Sequence, residues 1–147
     1  MKHFKKEYKK SQIGIEYLLI VGFVTFTVII VLGLALTYSA SIRDGMRMSH
    51  INNFANKIVD TSESVYYSGA PAKSTISVYL PESVVSIDIN EDEDMIVIEA
   101  QTSTGLNRVA FQSKVPLLQG TGLTTSSGSK KIEVIASNEG AIINQIS

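Results

Sequence analysis

One carboxylate, Glu16, stands at the head of an apolar run, and it is the side chain in this sequence with the clearest chemical demand. From Tyr17 to Leu36 there are 20 consecutive residues without a charge. That is the length a helix needs to cross a hydrocarbon core of about 30 Å. An unpaired acid at the centre of such a span costs roughly 2.5–3.5 kcal/mol, so an acid there usually has a partner or a task. At the edge of the run the cost is lower. The chemistry expected of Glu16 is ion pairing, and the question the sequence poses is what cation it meets.

Other candidates for chemistry are weaker. The acidic run Glu91-Asp92-Glu93-Asp94 lacks the alternating ligands, central glycine and terminal glutamate of a calcium loop, and reads as a solvated turn. His3 and His50 lie far apart, and neither has a catalytic neighbour in sequence; His50 reads as a surface or interface residue. There is no phosphate loop, no GxSxG and no zinc spacing, so catalytic residues, a metal site and a cofactor are not expected. With no cysteine, disulfides and thiolate sites are excluded, and packing alone must hold the fold together. Sequons of the N-x-[ST] type are absent as well.

Charge is distributed unevenly along the 147 residues. Residues 1–11 hold Lys2, Lys5, Lys6, Lys9 and Lys10 against Glu7, a net of +4, and residues 12–147 carry a net of −5. Lysines beside a span stay on the cytoplasmic side, which places the N-terminus inside and the acidic remainder outside. No basic face suggests nucleic acid as a partner. A secretory signal also begins basic and then apolar, but its apolar stretch is usually 7–15 residues and ends at a small-residue cleavage site. Here the run is longer and flows into a helix-compatible segment.

The elements that must position Glu16 follow from periodicity. The span runs from Ile13 to about Tyr38. Gly22, Gly33 and Ala40 fall close to one helical face, where small residues let neighbouring backbones approach, so they are candidate helix-packing positions. Ile42 and Met46 continue the pattern, and Ile51, Phe54, Ala55, Ile58 and Val65 then follow amphipathic spacing. No proline intervenes before Pro71. Ser68-Gly69 followed by Pro71 is the first strong stop. The spacing predicts a mostly continuous helix from Gln12 to about Tyr67, roughly 84 Å long, with bends possible at Gly33 or Gly45.

Beyond Pro71 the period changes to two. Strands are expected in residues 74–80, 84–89, 95–100, 108–112 and 131–136, with a final edge strand holding Ile142, Ile143 and Ile146. Residues 90–94 read as a hairpin loop and 119–130 as a surface loop. Tyr66-Tyr67 is expected to anchor the helix to the sheet. Ile51, Phe54, Ile58 and Val65 should meet strands carrying Ile76, Val78, Ile87, Val97 and Val134. The fold class is therefore α+β: a long N-terminal helix, membrane-spanning and then amphipathic, followed by a small antiparallel β-sheet head.

The opening SQIGIEYLLIVG resembles the class III signal of archaeal type IV pilin-like proteins. In that family a prepilin peptidase on the cytoplasmic face cuts before the Gln of a Gln-X-Ser-X-Glu pattern. Gln12, Ile13, Gly14, Ile15 and Glu16 match it, with Gly14 where Ser is usual. The resemblance implies a cut between Ser11 and Gln12, a processing motif of Gln12, Gly14 and Glu16, and Glu16 as the fifth residue of the mature chain. It also implies four segments: a leader at 1–11, a transmembrane and filament-core helix at 12–38, an amphipathic continuation at 39–69 and a β-rich head at 70–147. Cutting the leader removes a net +4 from the cytoplasmic flank and creates an ammonium at Gln12. Glu16 of one subunit then meets Gln12 of its neighbour, and a pair left unmatched in low dielectric is costly, which favours one stagger.

The expected function is a structural subunit of an archaeal type IV pilus-like filament, adhesive in role. Its partners are identical or related pilin subunits, the membrane before assembly, the prepilin peptidase and the assembly machinery. The single-pass precursor ends in an extracellular filament. An archaellin-like motility filament shares the architecture. A monomeric single-pass protein with a binding head is the rival of another class, and processing at Gln12 separates it from a filament subunit. An enzyme would need a polar constellation that the sequence lacks.

Overall fold

A computed structural model describes the backbone of residues 4–146 and the side chains of residues 14–146. One helix, α1 (Phe4–Ser68), precedes seven strands: β1 (Lys73–Leu80), β2 (Val84–Asn90), β3 (Met95–Thr102), β4 (Gly105–Gln112), β5 (Leu117–Gln119), β6 (Gly128–Ala136) and β7 (Ala141–Gln145). The fold is α+β, as the change of period indicates. The chain divides into two units, residues 1–42 and 43–147.

The helix begins eight residues before Gln12, where the sequence reading starts it. Lys, Glu and Tyr in the leader are adequate helix formers, and no Gly or Pro interrupts them. In the first unit apolar side chains are exposed on every face from Ile15 to Leu36. The 18-residue window of highest hydropathy is 0% buried, and the helix is long and apolar enough to cross a membrane. Its threonine hydroxyls are satisfied within the helix. Thr25, Thr27 and Thr37 donate to the carbonyls of Val21, Phe23 and Gly33 at 2.8, 2.9 and 2.9 Å. A hydroxyl bonded in this way carries less cost into hydrocarbon.

In the second unit the same helix is amphipathic. Ile51, Phe54, Ala55, Ile58, Val59, Ser62 and Val65 are buried at helical spacing. Ile42 and Met46, which extend the pattern in sequence, are exposed, so the packed face begins at Ile51. The helix ends where expected. Gly69 takes a positive φ of 79°, and its N–H donates to Tyr66 O at 3.0 Å. That left-handed turn closes the last carbonyls and suits glycine.

The head holds two sheets, ordered β1-β6-β7-β5 and β2-β3-β4. Adjacent strands are antiparallel except β5 and β7, which pair in parallel from Leu117↔Ala141 to Gln119↔Ile143. Alternation places Ile76, Val78 and Leu80 of β1, Ile132 and Val134 of β6, and Ile143 of β7 toward the helix cluster. From the second sheet come Ile87, Ile89, Ile96, Ile98 and Phe111.

Several details differ from the sequence reading: in place of one antiparallel sheet the head has two, one with a parallel pair, and β6 already begins at Gly128, inside the loop expected at 119–130. The last strand, β7, lies between β6 and β5 and is not an edge. The short β5 has no counterpart among the expected strands. Val97 is buried but stands outside the helix-facing core, because Ile96, Ile98 and Ala100 take that face. In the uniformly apolar run MIVI either phase is compatible with the sequence, and adjacent residues must point to opposite faces.

Candidate functional site

The side chains of Ser11 and Gln12, the two residues of the expected cut, lie outside the described residues. Gly14 and Glu16 lie within α1 and are exposed. Among the described residues Glu16 meets no hydrogen-bond or ion-pair partner within its own chain. A Cβ added at Gly14, Gly22 or Gly33 would meet nothing within 4 Å, and Ala40 is half-buried. Gly14, Glu16, Gly22 and Gly33 are therefore on open helix surface, where a second molecule has access to them.

The head presents a second set of polar contacts, which sequence reasoning missed. Asp44 Oδ2 accepts hydrogen bonds from Ser103 N, at 2.9 Å, and from Ser103 Oγ. The tight turn between β3 and β4 is thereby fastened to the first turn of α1 in this unit. Arg47 Nη1 stands 3.7 Å from Asp44 Oδ1. Those two Ser103 hydrogen bonds, helped by Arg47 and Arg43, hold the Asp44 carboxyl below its ordinary 3.8 against a smaller opposing effect of desolvation.

A depressed acid stabilises the folded form above its unfolded pKa and loses that contribution as pH falls through the folded pKa. The Ser103 amide resonance of the full chain in micelles should therefore titrate with a midpoint below 3.8. Asp44→Asn should abolish that titration. A midpoint at or above 3.8, or a titration that survives Asp44→Asn, contradicts the clamp.

At the opposite end of β3, Glu63 of α1 accepts from Lys114 N at 3.1 Å, and its other oxygen lies 3.7 Å from Lys114 Nζ. The acidic turn sits there too. It is more than a solvated turn: Asp94 Oδ1 accepts from Leu117 N at 3.3 Å and Glu91 Oε1 from Gln119 N at 2.8 Å. These N–H groups belong to β5, an edge of its sheet. Two carboxylates thus occupy donors that would otherwise invite another strand. Glu93 accepts from Asn90 Nδ2 at 2.9 Å, while Asp92, exposed, makes no side-chain contact with a described residue.

A groove of about 260 Å³ runs between α1 and β1, lined by Arg43, Met46, Arg47, His50, Tyr79, Pro81 and Glu82. His50 packs edge-on against Tyr79 with centroids 5.4 Å apart. Farther along, Lys57 Nζ donates to Ser77 O at 3.1 Å on the outer edge of β1. Tyr66 packs partly against the core as the expected anchor, whereas Tyr67 is exposed. Lys130, on the core side of β6 and 4% exposed, donates to Thr124 Oγ1 and Ser126 Oγ at 2.7 and 2.9 Å, folding the Ser/Thr-rich loop over the end of the sheet. Among the described residues no three His, Cys, Asp or Glu side chains converge as a metal site would require.

No protein-family model, curated protein or solved structure matches the chain.

Proposed function

We propose that this chain is the structural subunit of an archaeal type IV pilus-like filament, cut by a prepilin peptidase between Ser11 and Gln12 and polymerised through the first half of α1. One observation carries the reading. A single helix is apolar and exposed on every face from Ile15 to Leu36, and buries an apolar stripe under a β head only from Ile51 onward. Apolar surface of that extent needs lipid or other helices around it. A filament supplies both in turn: bilayer before assembly, a bundle of identical helices after it. Gly22, Gly33 and Ala40 then permit close helix approach, and Glu16 finds the Gln12 ammonium of a neighbour.

Adhesion fits a filament whose heads face water. The test is the state of the chain at the surface of cells that carry a prepilin peptidase and a pilus assembly system. Material sheared from them should contain filaments built of this chain, visible by electron microscopy. A chain that stays wholly in the membrane fraction as a single-pass protein overturns the reading.

A further inference from the structure

The outer edge of β4 is open. Ser113 N donates to Asp94 O at 2.8 Å, in step with the β3–β4 register Ile96↔Phe111 and Ile98↔Val109. By the alternation of an antiparallel ladder, the N–H and C=O of Leu106, Arg108, Ala110 and Gln112 then point away from β3. Among the described residues no backbone hydrogen bond reaches these groups from another element. The strand is 8 residues long, keeps its register without a bulge and holds no proline. Its one charge, Arg108, lies 3.9 Å from Glu99 of β3. The other three strand edges are covered or interrupted. α1 runs beside β1, where Lys57 Nζ occupies Ser77 O. Asp94 and Glu91 occupy N–H groups of β5. β2 breaks its register at a bulge between Val84 and Ser86 and lies against β5. Proteins blunt their edges in these ways, and an edge left open is a template for strand addition.

We infer that β4 pairs antiparallel with β4 of a second copy of this chain, continuing the three-stranded sheet across a two-fold axis. The occupant follows from the edges and from area. Among the described residues β4 is the edge that each copy leaves open, so copies that join by their edges make an isologous contact that closes. Pairing over 8 residues, a length of about 27 Å, buries less than the roughly 1,000 Å² of a lasting interface. A single foreign strand would leave quickly, whereas a filament carries many copies of β4 and sums the contact. Direction places it. Ser103, before β4, meets Asp44, and Lys114, after β4, meets Glu63, so β4 runs alongside the head part of α1. Antiparallel partners therefore point the head parts of their helices opposite ways. Neighbours within one polar filament all point the same way, so the contact joins heads of two filaments lying side by side in opposite directions. That placement rests on the filament reading; the two-fold pair of heads does not.

The chain has no cysteine, so a single introduced thiol reports without background. Arg108, Ala110 and Ser77 are all exposed. In the full chain in detergent, the better of Arg108→Cys and Ala110→Cys should give at least about tenfold more disulfide dimer on mild oxidation than Ser77→Cys on the covered β1. Wild-type filaments should lie paired in electron micrographs. Ala110→Pro removes an outward N–H and no bond to β3, a place where an edge tolerates proline. Its filaments should equal wild type in yield and lie singly. Ala110→Lys, which keeps the N–H but sets a charge at the junction, should do the same. Cysteines on β4 that link no better than Ser77→Cys overturn the pair and leave the filament reading standing. Wild-type filaments as single as those of Ala110→Lys overturn its placement between filaments. A wild-type chain that gives no filaments, while β4 cysteines link in detergent, overturns the filament reading and supports the two-fold pair.

Discussion

Glu16→Ala is expected to be inserted, processed and folded as wild type, and to lose filaments by roughly a hundredfold or more. The size follows from the cost of leaving the neighbour's Gln12 ammonium unmatched in an apolar bundle, roughly 3–5 kcal/mol for a buried pair broken on one side. Folding should be spared because Glu16 lies in the unit that contributes nothing to the head core. Glu16→Gln separates charge from hydrogen bonding, since it keeps shape and an acceptor. A strong defect in that variant assigns the effect to electrostatics. If Glu16 only sets helix depth at the headgroups, Glu16→Gln filaments should equal wild type. Counting filaments by electron microscopy, beside a blot for processed chain, decides. Normal filaments from Glu16→Ala end the pairing account.

The other large effect belongs to the head. Phe54 is 1% exposed and the largest of its fully buried side chains. Phe54→Ala should destabilise the head by roughly 3–5 kcal/mol, the transfer free energy of the ring plus the cavity it leaves. That is a large part of the roughly 5–15 kcal/mol available to a domain. Tyr67→Ala, on an exposed neighbour of the same helix, should change stability by no more than about 0.5 kcal/mol. Denaturant unfolding of the full chain in detergent, followed by the β-sheet circular dichroism signal, measures both. A Phe54→Ala loss below about 1 kcal/mol contradicts the packing of α1 on the sheets.

What the sequence reveals and conceals can be traced to the range of each interaction. The helical stripe from Ile51 to Val65 is local periodicity, and it survives folding intact. So do the alternating strands β1, β2 and β6, and the stop at Gly69. The face taken by Val97 was ambiguous because every residue from Met95 to Ile98 is apolar, and only the partner strands choose the phase. The three-residue β5 follows Val115-Pro116 and is too short to show a period. Its edge is completed by Asp94 and Glu91 from 23 and 28 residues away, and no local pattern announces that pairing. The Asp44–Ser103 clamp spans 59 residues and is equally silent in sequence. Glu16, Gly22 and Gly33 are exposed in the chain's own fold. Under the proposed filament reading, the partner of these positions lies in another molecule.

N-terminal sequencing of filaments sheared from cells bears most directly on the account. A chain that begins Gln12-Ile13-Gly14, with residues 1–11 gone, is the predicted result. Filaments that retain Met1, or a chain that starts near Ala40, contradict it.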